Sequence, residues 1–257
     1  MRRGRIVVAG LGPGDASLLA PLALEALRRA GVVAGYKGYI DLVDPALLEG
    51  KSVISTGMTG EVERVNRALD EAASGAEVCL VCSGDPGIYA MAGLVLEAME
   101  RRGLERTVEY ECVPGIPAFA AAAALLGAPL MHDFACISLS DLLTPWDTIE
   151  RRLDAAAGAD FVIALYNPRS RRRADHLERA LEIIGRHRAP QTPVGIVNRA
   201  YRESQRTTLA ALDAVDPARV DMQTVMVIGN SATRVSAGRL LTPRGYDGKY
   251  DVSGGRS

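Results

Sequence analysis

The chain has 257 residues, 48% hydrophobic and 24% charged, a balance that excludes wholesale disorder and suits one large or two smaller globular domains. Its 30 Lys and Arg against 31 Asp and Glu leave a formal charge of −1, which excludes a protein built chiefly to coat nucleic acid. Aromatic residues at 5% leave few rings for stacking single-stranded bases, and no apolar stretch approaches the ~20 residues that cross a bilayer, so neither nucleic acid nor membrane is an expected partner.

In chain order, apolar runs alternate with amphipathic segments. Residues 5–10 (RIVVAG) read as a buried strand; the Gly-Pro-Gly-Asp that follows breaks the run too early for a secretory leader. Leu19, Leu22, Ala23, Ala26 and Leu27 then mark a helical stripe. A second strand falls in VVAGYKGY and a short third in KSVIS, followed by a helix over EVERVNRALDEAA. EVCLVC and TVEYECV are strands, each leading through a Gly/Pro loop to a helix, the second being PAFAAAAALLG. This alternation, with near-continuous Val/Ile/Leu strands, predicts a mainly parallel sheet covered on both faces. Cys79 and Cys82 form a C-x-x-C, yet an offset of three on a strand sends the two thiols to opposite faces. With Cys112 and Cys136 they read as reduced structural cysteines of a cytoplasmic protein, not as a disulfide framework.

Beyond residue 129 the texture changes. In FACISLS (134–140), Ala135, Ile137 and Leu139 share one parity, while Phe134, Cys136, Ser138 and Ser140 share the other, so one face is apolar and the other turns polar. A helix near 146–157, a strand at 160–166, a helix near 170–187, a strand at 192–197, a short β/α piece at 205–215 and a last strand at 223–229 complete a second α/β domain with a mixed sheet. The expected organisation is therefore two α/β domains, 1–129 and 130–242, and a loosely ordered tail, 243–257.

Four strand-to-loop junctions are rich in Gly and Pro: residues 10–15 (GLGPGD), 83–87 (SGDPG), 114–117 (PGIP) and 229–232 (GNSA). Ligands of open α/β sheets bind where loops leave the carboxyl ends of strands, and glycine lets them approach the backbone. The first loop fails the dinucleotide fingerprint, because Asp15 stands at its third glycine position, and there is no Walker A loop. Asp15 is placed to cap the following helix. No Cys/His cluster would hold a metal in the protein itself.

GLGPGD, SGDPGIY, VPGIPA and the late VIGN resemble the tetrapyrrole methylase family over roughly residues 5–240. GYKGYIDL (35–42), STGMTGEVERV (55–65), MHDFACISLSDLLTPW (131–146) and LYNPRSRRR (165–173) are similar to its ring-contracting branch, which methylates C17 of precorrin-3B in cobalamin biosynthesis; Ala90 stands where Gly is the more usual residue. The resemblance implies two α/β domains with a cofactor cleft between them, S-adenosylmethionine as methyl donor, and a homodimer. It also implies donor contacts from Gly12, Pro13, Ser83, Gly84, Asp85, Ile88, Pro117, Ala118, Asn167 and Ala200. The local alternatives are an Asx turn for Gly84-Asp85-Pro86 and a plain helix start for Pro117-Ala118.

A macrocycle bearing acetates and propionates calls for cations and hydroxyls. Lys37, Tyr39, Ser138, Ser140, Arg169 and Arg199 are the substrate-binding candidates, with Arg171, Arg172, Arg173 and Arg202 beside them. Ring contraction also needs a proton donor or acceptor, for which Asp85, His132 and Asp141 are the catalytic candidates, near Asp133 and Thr144; His132 also suits a hinge and Asp141 a helix cap. The competing readings are the same step on the cobalt-containing intermediate cobalt-factor III, a methylase of RNA or protein on the same fold, and a non-catalytic nucleotide-binding regulator.

Overall fold

In the computed structural model, which describes residues 3–170 and 175–252, each apolar run of the first 118 residues becomes a strand of one sheet. The strands are β1 (Gly4–Gly10), β2 (Val32–Tyr36), β3 (Ser52–Thr56), β4 (Glu77–Cys82) and β5 (Val108–Val113). They lie in the order β3-β2-β4-β1-β5 and every pair is parallel. Because side chains alternate across the pleat, the sheet has two cores. Ile6, Val8, Val32, Ala34, Val78 and Leu80 pack on one face with Val65, Leu69 and Ala72 of α3 (Glu61–Ala73) and Val95 and Met99 of α4 (Ala92–Arg102). Val7, Ala9, Val33 and Val81 pack on the other with Ala23 and Leu27 of α1 (Pro21–Arg29). Leu22, expected in the buried stripe of α1, is 60% exposed, because the helix begins only at Pro21 and turns its Ala23–Leu27 row inward.

Cys79 belongs to one core and Cys82 to the other, as the offset of three requires. Both are free and fully buried, and burial pushes each thiol up to about 12. A thiol reagent on the native protein is therefore expected to modify exposed Cys112 first and half-buried Cys136 more slowly, sparing Cys79 and Cys82 until denaturant is added. Modification of all four in one native phase would contradict this packing.

The remaining chain forms a second unit, and contacts place the division at Ala118/Phe119 rather than at 129/130. The alanine-rich helix α5 (Ala118–Leu126) accounts for the difference. A Cβ on Gly195 would come within 2.5 Å of both Leu126 methyls, so this helix seats its last leucine against the second sheet. β6 (Gly127–Ala128) continues from it. The elements that follow are β7 (Phe134–Ser138), α6 (Trp146–Gly158), β8 (Val162–Tyr166), α7 (His176–Gly185), β9 (Pro193–Asn198), β10 (Arg206–Ala211), β11 (Thr224–Ile228), β12 (Arg234–Ser236) and β13 (Arg239–Leu241). The sheet is mixed, ordered β10-β9-β11-β8-β7: β7 and β8 are parallel, while the β8–β11, β11–β9 and β9–β10 pairs are antiparallel. Ile137, Leu139, Ile149, Leu153, Ile163, Leu165, Leu177, Ile184, Met226 and Ile228 form its core. A small sheet, β12-β13-β6, lies beyond the predicted elements. Of the expected tail, residues 243–252 form no helix or strand. No helix among the described residues is long and apolar enough to cross a membrane.

Candidate functional site

In the first unit the parallel strands β4, β1 and β5 are neighbours, so the loops that leave their carboxyl ends emerge side by side. The first two loops bond directly: the Gly12 N–H donates to the Gly84 carbonyl at 3.1 Å, and the Gly84 N–H to the Gly12 carbonyl at 2.7 Å. Both residues have positive φ, +66° and +69°, which glycine adopts without strain. The third loop closes on these two. A Cβ on Gly115 would sit 2.2 Å from the Gly84 oxygen and 2.9 Å from the Gly10 Cα, so the three chains meet at a distance only glycine permits.

Asp85 ties the junction together. Its Oδ1 accepts the Gly87 N–H at 2.8 Å and its Oδ2 accepts the Gly115 N–H at 3.1 Å, joining the second loop to the third. With both carboxylate oxygens holding backbone donors, Asp85 is a clasp between the two loops. Pro13 is buried next to this junction, and Ser83, Ile88, Pro117 and Ala118 are half-buried around it. Lys37 and Tyr39 sit on the four-residue helix α2 (Lys37–Ile40) after β2, the strand adjacent to β4, and so lie along the same sheet edge. Lys37 is exposed, while Tyr39 packs edge-on against Tyr36 at 5.1 Å. Asp15 caps the short turn Ala16–Leu18, accepting from the Ser17 hydroxyl at 2.7 Å and its N–H at 2.8 Å; these bonds, the hydroxyl's first, lower its carboxyl below the usual range.

In the second unit, Ser138, Tyr166, the end of β9 and the start of β11 share one edge, since Ser138 pairs with Tyr166, Met226 with Leu165 and Thr224 with Asn198. Asn167 (φ +51°) donates its amide to Ser138 Oγ at 3.0 Å, and the Ser140 N–H reaches the same oxygen at 3.2 Å. After β9, Arg199 (φ +50°) and Tyr201 (φ +56°) flank Ala200 in a turn. Arg199 donates from Nε to Gln223 Oε1 and from Nη1 to Ser204 Oγ at 3.0 Å. Left-handed backbone at non-glycine residues costs about 1–3 kcal/mol each and gathers at functional sites. The turn also places Arg202, whose N–H donates to the Arg199 carbonyl at 3.1 Å. Arg169 faces Glu178 at 3.8 Å, and Asp141 Oδ2 faces His176 Nε2 at 3.7 Å. Arg171, Arg172 and Arg173 lie outside the described residues.

Two expectations are corrected here. His132 and Asp133 precede β7, whereas Ser138, Ser140, Asp141 and Thr144 end or follow it. Five residues of strand, ~16 Å at ~3.3 Å per residue, separate the two groups, so His132 and Asp141 do not share a site. The fourth glycine loop is also displaced. β11 runs antiparallel to β8, which puts Gly229 and Asn230 at the edge of the sheet opposite Asn167 and Ala200. That opposite edge holds a cleft of about 390 Å³ lined by His132, Asp133, Asp160, Phe161, Asn230 and Arg244 among others.

The residue missed is His176. It is buried, its Nδ1 lies 3.0 Å from the Leu139 carbonyl oxygen, and its ring stacks on Trp146 at 4.2 Å. Its scarcity was the available signal, since the chain has only 3 histidines. Groups of His, Cys, Asp or Glu able to hold a metal ion are absent among the described residues.

A profile of the tetrapyrrole (corrin/porphyrin) methylases matches residues 5–216. The chain is 50% identical to a Salmonella typhimurium protein named probable cobalt-factor III C(17)-methyltransferase, over 93% of this chain and 98% of the relative. It is 40% identical to the precorrin-3B C(17)-methyltransferase of a Sinorhizobium species, over 95% and 98% of the two chains. The crystal structure of the methyltransferase CobJ superimposes with a TM-score of 0.89 at 40% identity, covering 93% of this chain and 100% of that one.

Proposed function

The chain belongs to the tetrapyrrole (corrin/porphyrin) methylases, and from that premise we propose that it is an S-adenosylmethionine-dependent methyltransferase acting at C17 of precorrin-3B, with contraction of the macrocycle, in corrin biosynthesis. The observation that carries the donor assignment is the junction of Gly10, Gly12, Gly84 and Gly115, clasped by Asp85, at the carboxyl edge of a parallel sheet. The junction fits a zwitterionic sulfonium: the Asp85 charge is taken up by two N–H groups, and Pro13, Ser83, Ile88, Pro117 and Ala118 around it carry no charge. Those residues hold the donor in this reading. When bound, S-adenosylmethionine supplies an electrophilic methyl, so the protein's share of the transfer is alignment and exclusion of water.

Lys37, Arg169 and Arg199 are the cations offered to the substrate's carboxylates, with Tyr39, Ser138 and Ser140 as hydroxyl partners. Asp141, beside Ser140 and half-exposed, is the group that moves a proton during ring contraction. In this reading the enzyme works in the cytoplasm as a homodimer, as the family resemblance implies. The second reading is the same step on cobalt-factor III, favoured by the 50% identity to a relative bearing that name; the cobalt is then part of the substrate.

Isothermal calorimetry against S-adenosylmethionine, NAD and ATP is expected to give saturable heat for the first alone. Absence of that heat would overturn the methyltransferase assignment, and preferential binding of NAD or ATP would favour a nucleotide-binding regulator.

A further inference from the structure

We propose that His176 is a positioning residue for Asp141, fixing the carboxyl that the reading above makes the proton-transfer group; the inference rests on that reading. His176 opens α7 and is 8% exposed, whereas Asp141 lies in the loop after β7 with a side chain 42% exposed. The Leu139 carbonyl, 3.0 Å from Nδ1, can only accept, so Nδ1 carries a proton and the tautomer is set. Trp146 stacks on the imidazole at 4.2 Å with 28° between the planes, and the Arg179 guanidinium lies 4.8 Å from the indole centroid, so the ring is held in its plane. Arg179 is itself paired with Glu150 at 2.7 Å, and Arg169 with Glu178 at 3.8 Å.

The fixed ring leaves Nε2 facing Asp141 Oδ2 at 3.7 Å. A proton on Nε2 draws the Asp141 carboxylate toward the imidazole, and this attraction is the positioning contact.

The test uses the whole enzyme. With only 3 histidines, the imidazole nitrogens are assignable by ¹⁵N NMR, and His176 is expected to show a protonated Nδ1 in every state; an Nε2–H tautomer would overturn the proposal. In turnover assays, His176→Gln keeps an N–H directed at Asp141, while His176→Asn keeps only the donor toward Leu139. The Gln variant is expected to retain about tenfold more kcat than the Asn variant, with KM for the tetrapyrrole within about threefold of wild type in both. Asp141→Asn combined with His176→Asn is expected to be no slower than Asp141→Asn alone. Equal losses in the Gln and Asn variants, or losses that multiply in the double variant, would overturn the proposal. A wild-type enzyme that turns over no tetrapyrrole would overturn the functional reading instead, and the nitrogen spectrum would still decide how the His176 ring is held.

Discussion

Gly115→Ala is expected to abolish S-adenosylmethionine binding in calorimetry and to lower methyl transfer by at least ~10²-fold, the scale on which a displacement of about 1 Å costs turnover. The added Cβ would meet the Gly84 carbonyl oxygen at 2.2 Å and Gly10 backbone atoms at 2.9 Å. Both obstacles are main chain, so no side chain can swing aside, and the third loop must lift away from the first two. Lifting it also pulls the Gly115 N–H from Asp85 Oδ2, where it lies at 3.1 Å, and so frees one arm of the clasp. The contrasting substitution is Gly93→Ala in α4, where a Cβ meets nothing within 4 Å; donor binding is expected to be unchanged and stability slightly raised, by about 0.5–1 kcal/mol. Wild-type donor affinity in Gly115→Ala would show that the junction is not the donor site.

Arg188→Met is expected to lower stability by about 3 kcal/mol, the largest effect away from the candidate site. Arg188 is a buried guanidinium at the far edge of the second sheet. It donates to the carbonyls of Ala157 at 2.6 Å, Phe161 at 2.9 Å, and Gly229 and His187 at 3.3 Å, and lies 3.2 Å from Asp160 Oδ1. Burial lowers its pKa and the Asp160 charge opposes that shift, yet it remains the donor set that closes the C-terminal end of α6. Methionine fills the space and leaves those carbonyls without the guanidinium donors. Asp160 has φ +61° and accepts the Ser231 hydroxyl at 2.6 Å and its N–H at 3.0 Å. Burial tends to raise its carboxyl, but the Ser231 bonds, Arg188 and His132 together bring it below the usual range. A lowered folded-state pKa means that Asp160's contribution is present above the ordinary carboxylate value and fades as pH falls through the lowered one. Urea titrations at neutral pH measure the effect of Arg188→Met; a loss under about 1 kcal/mol would show that water replaces the guanidinium at little cost.

The parallel half of the molecule was the more legible in sequence, for a physical reason. Where consecutive strands run the same way, every loop after a strand reaches the same edge, so the glycine loops at 10–15, 83–87 and 114–117 could be expected together, and they meet. The rule fails in a mixed sheet. The 229–232 loop also follows a strand, but β11 is reversed relative to β8, and strand direction leaves no local trace in an apolar run such as QTVMVIG. His132 went astray in a related way, because eight residues of sequence look close to Ser140 until β7 extends between them. β12 and β13, of 3 residues each, and β6, of 2, are too short to show alternation. His176 could be found only by folding, since it is brought to Asp141 by the carbonyl of Leu139, 37 residues away in sequence.

The central claim is most directly tested by incubating the enzyme with S-adenosylmethionine carrying a ¹³C-methyl group and, in separate reactions, precorrin-3B and cobalt-factor III, then reading the products by mass spectrometry and ¹³C NMR. The account predicts one labelled methyl on C17 of a ring-contracted product from at least one of the two, and loss of that product in Gly115→Ala. Intact enzyme that leaves both macrocycles unlabelled, or places the label on another carbon with the ring uncontracted, would contradict it.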